Sequence, residues 1–503
     1  MRVNARFGIF PGEHLERCPA SAGFRVKECV TMKGKAFVLL LVVIYGSEFF
    51  AGFNENLMNM ALVSIMGEFG VSSVTAQWLV TAYMIAATVM VTCTAFFFRR
   101  VKLRRLYCFC SVLTIAGSAM GLFAFCFPFL LAARLVQAIG SGMLIPMMIS
   151  TILSVCPKNR LGVYMATGGC MITFGPAFAP VLCGSFVTLL GCRSIFLIPL
   201  IAMVILSVLA FFFLDNLETH EDHLDVPSVA LSAVTLACLS CGLAQVSSNP
   251  LKGAGMIAVF LVAGAIFVRR QLRCKYPLID LAPMKNADFW PGVILVFVAM
   301  MSTFSSTVLL PLYLEGAFGL TAFLAGVVML VPVLMNAFTT LLSGRVLDSV
   351  GEWPLVPLGF VCIAVGFAIL ALTAPAMSII AVLVGALFLF VGVGMGFTAS
   401  QTVGLKMLPR SQNTYGVTIM STSLQIAACV GPPMFIGLMS SVQAKAAAGG
   451  LSEALSTAQG FSCAAGVAAG FALFGALVAC AFTFRGRLSK KLAAQPKLRF
   501  DFE

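Results

Sequence analysis

Charge is what this sequence has least of. Only 10% of its 503 residues are Asp, Glu, Lys or Arg, against about 25% in a soluble domain. Acid is scarcer than base, with 19 carboxylates against 32 Lys and Arg, and there are only three histidines. Such a chain cannot coat a water-facing surface, so an ordinary soluble protein is excluded. No nucleophile–base pair, metal-ligand set or phosphate-binding glycine loop stands out, which argues against an enzyme. His220 and His223 sit in L-E-T-H-E-D-H-L-D, which reads as a solvated loop rather than a metal site. Cys238 and Cys241 have C-x-x-C spacing but lie inside an apolar run. They and the other cysteines read as small core residues. Residues 1–35 hold no apolar core ahead of the first long run, so no secretory signal is expected. They read as a basic cytoplasmic tail, with Met32 as an alternative start.

Apolar sequence is present in excess. Hydrophobic residues make up 60% of the chain, and the mean hydropathy is +1.02. Fourteen segments reach spanning length: 36–60, 73–98, 106–126, 129–153, 162–187, 194–214, 226–247, 254–268, 290–314, 320–344, 354–374, 377–401, 414–440 and 463–484. The expectation is an all-α polytopic protein of a cell membrane. The net charge of +13 then reads as topology and membrane-surface charge, with no nucleic-acid partner. If the first connection is outside, the outside loops hold only Arg193, Lys252 and Lys445. Apart from Arg134, the remaining basic residues all fall inside. That asymmetry predicts an even number of spans with both termini cytoplasmic. Twelve or fourteen spans satisfy it equally.

One charge breaks this pattern. The run L-A-A-R-L-V-Q-A-I-G-S-G-M-L-I-P (Leu131–Pro146) places Arg134 inside a span, with Gln137, Gly140 and Gly142 following. An arginine at mid-membrane costs roughly 3 kcal/mol or more on insertion scales, so it is kept where it faces a wet cavity or a partner. The next span carries G-P-A-F-A-P-V-L-C-G (Gly175–Gly184). Pro176 and Pro180 remove backbone donors and are expected to bend it, and the small residues allow close helix approach. R-L-V-Q-A-I-G-S-G resembles the fourth-span signature of the major facilitator superfamily, and the second run resembles that superfamily's fifth-span antiporter signature. Ala138, Ala179 and Cys183 replace glycines in the two motifs.

The resemblance extends over about residues 36–485. G-R-V-L-D-S-V-G (Gly344–Gly351) is similar to the superfamily's loop signature, at Gly344, Asp348 and Gly351. Its counterpart after the second span, A-F-F-F-R-R-V-K (Ala95–Lys102), has Ala95, Arg99 and Lys102 at those places. N-E-N-L-M-N-M-A-L (Asn54–Leu62) resembles the first span of the fourteen-span drug:proton antiporter branch, with Asn54 where that branch has aspartate. Gln77, Trp78 and Tyr83 fit its second span. The resemblance implies two six-helix halves, 36–214 and 290–485. Two additional helices at 215–289 would lie between them, and a basic tail at 486–503 would follow.

Of the carboxylates, only Glu48 and Glu55 lie well inside a span, and their spacing of seven puts them on one helix face. A carboxylate kept out of water can hold a proton and release it when wetted. Glu48, Glu55 and Arg134 are therefore the candidate proton-coupling residues. Asn54, Asn59 and Gln137 are candidates for the substrate cavity. Gly140, Gly142, Gly175, Pro176, Pro180, Gly184, Gly344, Asp348 and Gly351 are candidates for conformational roles, with Asp348 as a latch between helices. The expected function is proton-driven efflux of lipophilic cationic compounds by a monomer. The partners expected are a small-molecule substrate, protons and the lipid bilayer, with a proton gradient instead of a cofactor. Two rivals stand beside it. One is a specific exporter or importer of a metabolite or lipid, which Asn54 and the eroded antiporter motif favour. The other is a non-transporting sensor.

Overall fold

The computed structural model describes residues 35–71, 73–157, 160–214, 225–246, 250–274, 280–320, 322–409 and 412–494. Both tails and the loop with His220 and His223 lie outside the described residues. So do the side chains of Asn59 and Pro180 and the burial of Gly184.

Every apolar segment of the sequence folds as helix. Backbone that faces lipid has no water to bond, and a helix satisfies it internally. The helices are α1 (Lys35–Asn56), α2 (Leu62–Phe69), α3 (Ser73–Arg100), α4 (Leu103–Leu122), α5 (Phe127–Ser141), α6 (Leu144–Val155), α7 (Leu161–Leu190) and α8 (Leu197–Phe213). They continue as α9 (Val226–Val246), α10 (Pro250–Arg273), α11 (Trp290–Phe318), α12 (Ala322–Val350), α13 (Leu355–Thr373), α14 (Ile379–Lys406), α15 (Asn413–Ala448) and α16 (Glu453–Ala494). Among the described residues, eleven helical segments are long and apolar enough to cross a membrane. No strand occurs among the described residues.

Buried hydroxyls cost little here, because they bond back to their own helix. Thr88 donates to Met84 O at 2.7 Å, Ser302 to Val298 O at 2.8 Å and Thr402 to Thr398 O at 2.7 Å.

The helix contacts repeat. α1 packs on α7 and α8, and α4 packs on α5 and α8. In the same way α11 packs on α15 and α16, and α13 packs on α14 and α16. The two sets meet through α7 with α12 and α3 with α15. The pair α9–α10 is attached outside, with α9 touching both α3 and α15. The core of α11–α16 is one continuous cluster. A second cluster crosses between the sets, joining Ile149, Ile152 and Cys156 to Phe289, Leu405, Leu408, Val417 and Met420. This crossing lies at the end of the bundle that bears Arg160 and Lys406, called here the basic end. The bundle is closed there.

The sequence places its bend at Pro176 and Pro180. Helix α7 continues through both prolines, and the helix is interrupted in the preceding span. That span divides into α5 and α6 at Gly142–Met143. Pro146 has no N–H to return to the Gly142 carbonyl. A side chain at Gly142 would put its Cβ 2.7 Å from Ala87 O, so α3 presses on the backbone at the break.

Candidate functional site: a buried arginine node beside two carboxylates

Arg134 is wholly buried on α5. Close helix approach brings partners to it. A Cβ at Gly140 would lie 2.5 Å from Cys110 O, and one at Gly117 would lie 2.6 Å from Gln137 N, so α4 and α5 are in near-backbone contact. The guanidinium fork then reaches three helices. Nη1 donates to Gln137 Oε1 at 2.5 Å, Nη2 to Asn54 O at 3.1 Å and Nε to Leu79 O at 3.5 Å. Its Cζ lies 4.0 Å from the centre of the Tyr83 ring, a favourable cation–π contact. Gln137 passes the network on, with Nε2 donating to Ser118 Oγ at 2.9 Å. Tyr83 OH and Ser141 Oγ lie 2.7 Å apart, and Ser141 Oγ donates to Gln137 O at 2.9 Å. One arginine thus ties α1, α3, α4 and α5 together.

Glu48 and Glu55 stand on α1, Glu55 next to the Asn54 carbonyl that meets this node and Glu48 seven residues before Glu55. Glu48 is wholly buried, and neither of its carboxyl oxygens has a hydrogen-bond partner. Glu55 is 8% exposed, and its Oε1 is also unpartnered. The side-chain amide of Asn54 is buried with neither atom bonded. Buried polar groups are ordinarily satisfied, so three exceptions on one helix, at Glu48, Asn54 and Glu55, mark a place built for something other than stability. Neither carboxylate forms an ion pair with Arg134 among the described residues.

The remaining candidates fall at two contacts. Gly175 and Pro176 lie where α7 crosses α1: a Cβ at Gly175 would meet Phe49 O and Phe53 N, and the Pro176 ring touches Gly52. Gly344 and Asp348 lie where α12 crosses α7 at the basic end. Asp348 Oδ1 accepts from Gly162 N at 2.9 Å, and Oδ2 accepts from Val163 N at 2.8 Å. A carboxylate from one set of helices thereby caps the N-terminus of a helix from the other. A Cβ at Gly344 would meet Ala166 Cβ and lie 2.6 Å from Gly162 O, which is why the helices come close enough for this bond. Gly351 has φ +93°, a left-handed conformation that ends α12. Lys406 Nζ lies 3.5 Å from Asp348 Oδ1.

Several residues of the site carry no charge that would mark them in the sequence. Tyr83, Ser118 and the carbonyls of Asn54 and Leu79 hold Arg134, and nothing in an apolar run announces a carbonyl as a ligand. The α11–α16 set carries buried amides at Asn336, Gln401 and Gln425, with Gln425 Oε1 unpartnered. Thr398 and Thr340 press on Gly169 of α7, which sets this uncharged polar wall against the set that carries Glu48. Among the described residues, no group of three or more His, Cys, Asp or Glu could hold a metal ion.

Comparison with known proteins agrees with this architecture. The chain is 32% identical to the lincomycin resistance protein LmrB of Bacillus subtilis (strain 168) over 415 residues, covering 80% of this chain and 86% of that protein. It is 23% identical to the multidrug efflux pump LfrA of Mycolicibacterium smegmatis over 423 residues, covering 83% and 82%. The crystal structure of the human organic anion transporter MFSD10 superposes with a TM-score of 0.64 at 13% identity, over 89% of this chain and all of that one. That likeness shows a shared fold. A family profile described as Major Facilitator Superfamily matches residues 44–432. The chain belongs to the major facilitator superfamily, as a multi-pass transporter of the cell membrane.

Proposed function

We propose that this protein is a proton-coupled exporter of lipophilic, cationic compounds that works by alternating access. The observation that carries the reading is the pair Glu48 and Glu55, buried in α1, with both carboxyl oxygens of Glu48 and Oε1 of Glu55 left without a hydrogen-bond partner. An ionised carboxylate out of water is costly unless paired. Each group is therefore charged in a conformation that wets it or brings a cation, and neutral in one that does neither. That alternation is the requirement for exchanging protons against a cationic substrate. One elementary charge moved across the membrane is worth about 2.3 kcal/mol per 100 mV, enough to drive accumulation.

In this reading the residues divide the work. Glu48 and Glu55 carry protons and attract the substrate cation. Arg134 biases them through the node it makes with Gln137 and Tyr83. Asn54, Asn59 and Gln137 contribute to the substrate cavity between the halves. Asp348 latches the basic end, which faces the cytoplasm. The chain crosses fourteen times with both termini cytoplasmic and acts as a monomer. Its halves are 36–214 and 290–485, and α9–α10 are the inserted pair. Support for export comes from relatives named for lincomycin resistance and multidrug efflux.

Everted membrane vesicles test the reading. A lipophilic cation added to energised wild-type vesicles should release lumenal protons, and Glu48→Gln should abolish that release while the protein still folds. If no cation in a broad panel evokes release from wild type under a normal gradient, the antiporter reading fails and a specific metabolite transporter replaces it. Tags at residues 222 and 250 should report opposite sides of the membrane, and the same side for both would reduce the span count.

A further inference from the structure

The last turns of α10 carry three arginines, and the structure sends them in two directions. Arg270 turns back onto α9. Its Nε donates to Asp225 Oδ2 at 2.9 Å and its Nη2 donates to Asp225 Oδ1 at 2.6 Å. Ser228 Oγ donates to the same carboxylate at 2.5 Å, and Gln271 Nε2 donates to Ser228 Oγ at 2.8 Å. Asp225 is thereby fully used, and neither α9 nor α10 contains another acid. Arg269 and Arg273, one turn apart, are exposed and have no acidic partner among the described residues.

These two arginines line the C-terminal end of a shallow, open groove of about 580 Å³ along α10, whose other lining residues are Gly264, Ala265, Val268 and Leu272. The floor is low because Gly264 has no side chain; a Cβ there would meet only Thr235 Cγ2, at 3.6 Å. Val262 is 62% exposed and Ile266 is 52% exposed, so the flanks are apolar and unpartnered. From Gly264 to Arg273 the helix rises about 14 Å, close to half the hydrocarbon thickness.

We propose that this groove binds an anionic glycerophospholipid. Its phosphate sits between Arg269 and Arg273, and one acyl chain lies along Gly264, Ala265 and Val268. Two guanidiniums one turn apart match the forked acceptors of a phosphodiester, and a headgroup without an ammonium leaves that phosphate's charge uncancelled for two cations that have no acidic partner among the described residues. A second copy of the chain is the poorer occupant. A twofold axis along the membrane normal would set Arg269 and Arg273 of one copy against the same residues of the other. The lipid would brace the pair whose α9 touches both α3 and α15, one helix from each set. The inference rests only on α10 crossing the membrane and is independent of proton coupling.

Native mass spectrometry of the purified full chain tests it, with phosphatidylglycerol or phosphatidylcholine as the added lipid. Wild type should retain phosphatidylglycerol in preference to phosphatidylcholine. Arg269→Gln with Arg273→Gln should weaken that retention about thirty-fold, on roughly fivefold per basic residue near an anionic surface. Ala265→Trp, which fills the groove and keeps both charges, should also weaken it. Lys102→Gln with Arg105→Gln, removing two exposed charges elsewhere, should leave it unchanged. The proposal is overturned by equal retention of the two lipids, by full retention in the double arginine variant, or by a dimer that Ala265→Trp dissociates. Lipid mass is read without transport, so an inactive pump does not bear on the result.

Discussion

Arg134 is a buried cation held by carbonyls, an amide and an aromatic face, with no carboxylate in ion-pair range among the described residues. Lysine cannot replace it, because one ammonium cannot reach Gln137, Asn54 O and Leu79 O from a planar fork. Arg134→Lys should fold and insert yet lose most transport. Arg134→Ala should lower stability by about 3 kcal/mol, through its lost charged hydrogen bonds and the acceptors left unpaired. Chemical unfolding in detergent and substrate uptake by vesicles separate the two variants. Glu48 predicts the opposite sign. Both of its oxygens are buried and unbonded, so Glu48→Leu removes an unsatisfied polar group and should raise stability by about 1 kcal/mol or more. The same change should abolish substrate-evoked proton release. A loss of stability in Glu48→Leu would mean that the carboxyl is structural. At this scale Arg134, Glu48 and Glu55 were legible in the sequence, because a charge inside an apolar run has no ordinary reason to be there. Their partners were not: two of Arg134's acceptors are backbone carbonyls contributed by other helices.

Single helices give predictions of a different kind, since they concern how one rod is pinned to the next. At the basic end α9 and α10 are clamped by Asp225 and Arg270. The Arg270 guanidinium beside Asp225 holds that carboxyl down to about 2, below the usual carboxylate range. A lowered value means that the clamp's contribution is complete above the unfolded value of about 3.9 and is lost as pH falls toward 2. Asp225→Asn should therefore lower the melting temperature by the same amount at pH 5 and at pH 8. A difference that grows between those two values would assign the effect to another group. Where α4 meets α5, a Cβ at Gly140 would lie 2.5 Å from Cys110 O. Gly140→Val must push the helices apart, at about 1–3 kcal/mol, and should loosen Arg134 with them. Helix positions were readable from the apolar runs, because a spanning run has few alternatives to helix. The break at Gly142–Met143 was not readable. In a membrane, glycine and proline interrupt a helix only where neighbours satisfy the freed backbone. Pro176 and Pro180 sit in continuous helix, while the break at Gly142–Met143 lies just ahead of Pro146 in α6.

The whole molecule is closed at one end, and that closure is asymmetric. The helix contacts repeat between the two sets, so the α7–α12 contact should have a counterpart at α3–α15. At α7 the counterpart is latched: Asp348 accepts from Gly162 N and Val163 N. At α3 the matching positions of the repeat hold Ala95, Arg99 and Lys102, so the sequence offers no carboxylate there. One carboxylate therefore serves where two could. Asp348→Asn keeps the size and one acceptor but removes the charge, at about 1–2 kcal/mol for a cap that also meets the helix dipole. That energy moves a closed-to-open ratio by roughly five- to thirtyfold. Spin labels at Arg160 and Met407, both exposed at the basic end on opposite sides of the contact, would report it as a longer-distance population growing in Asp348→Asn. Lys406→Gln should change the distribution little, because that contact is long and partly exposed. Labels reporting the same short distance in wild type and Asp348→Asn would show that apolar packing of Ile149 and Ile152 against Leu405 and Met420 holds the end shut. The conformational switch would then have to lie in that cluster instead of in the carboxylate.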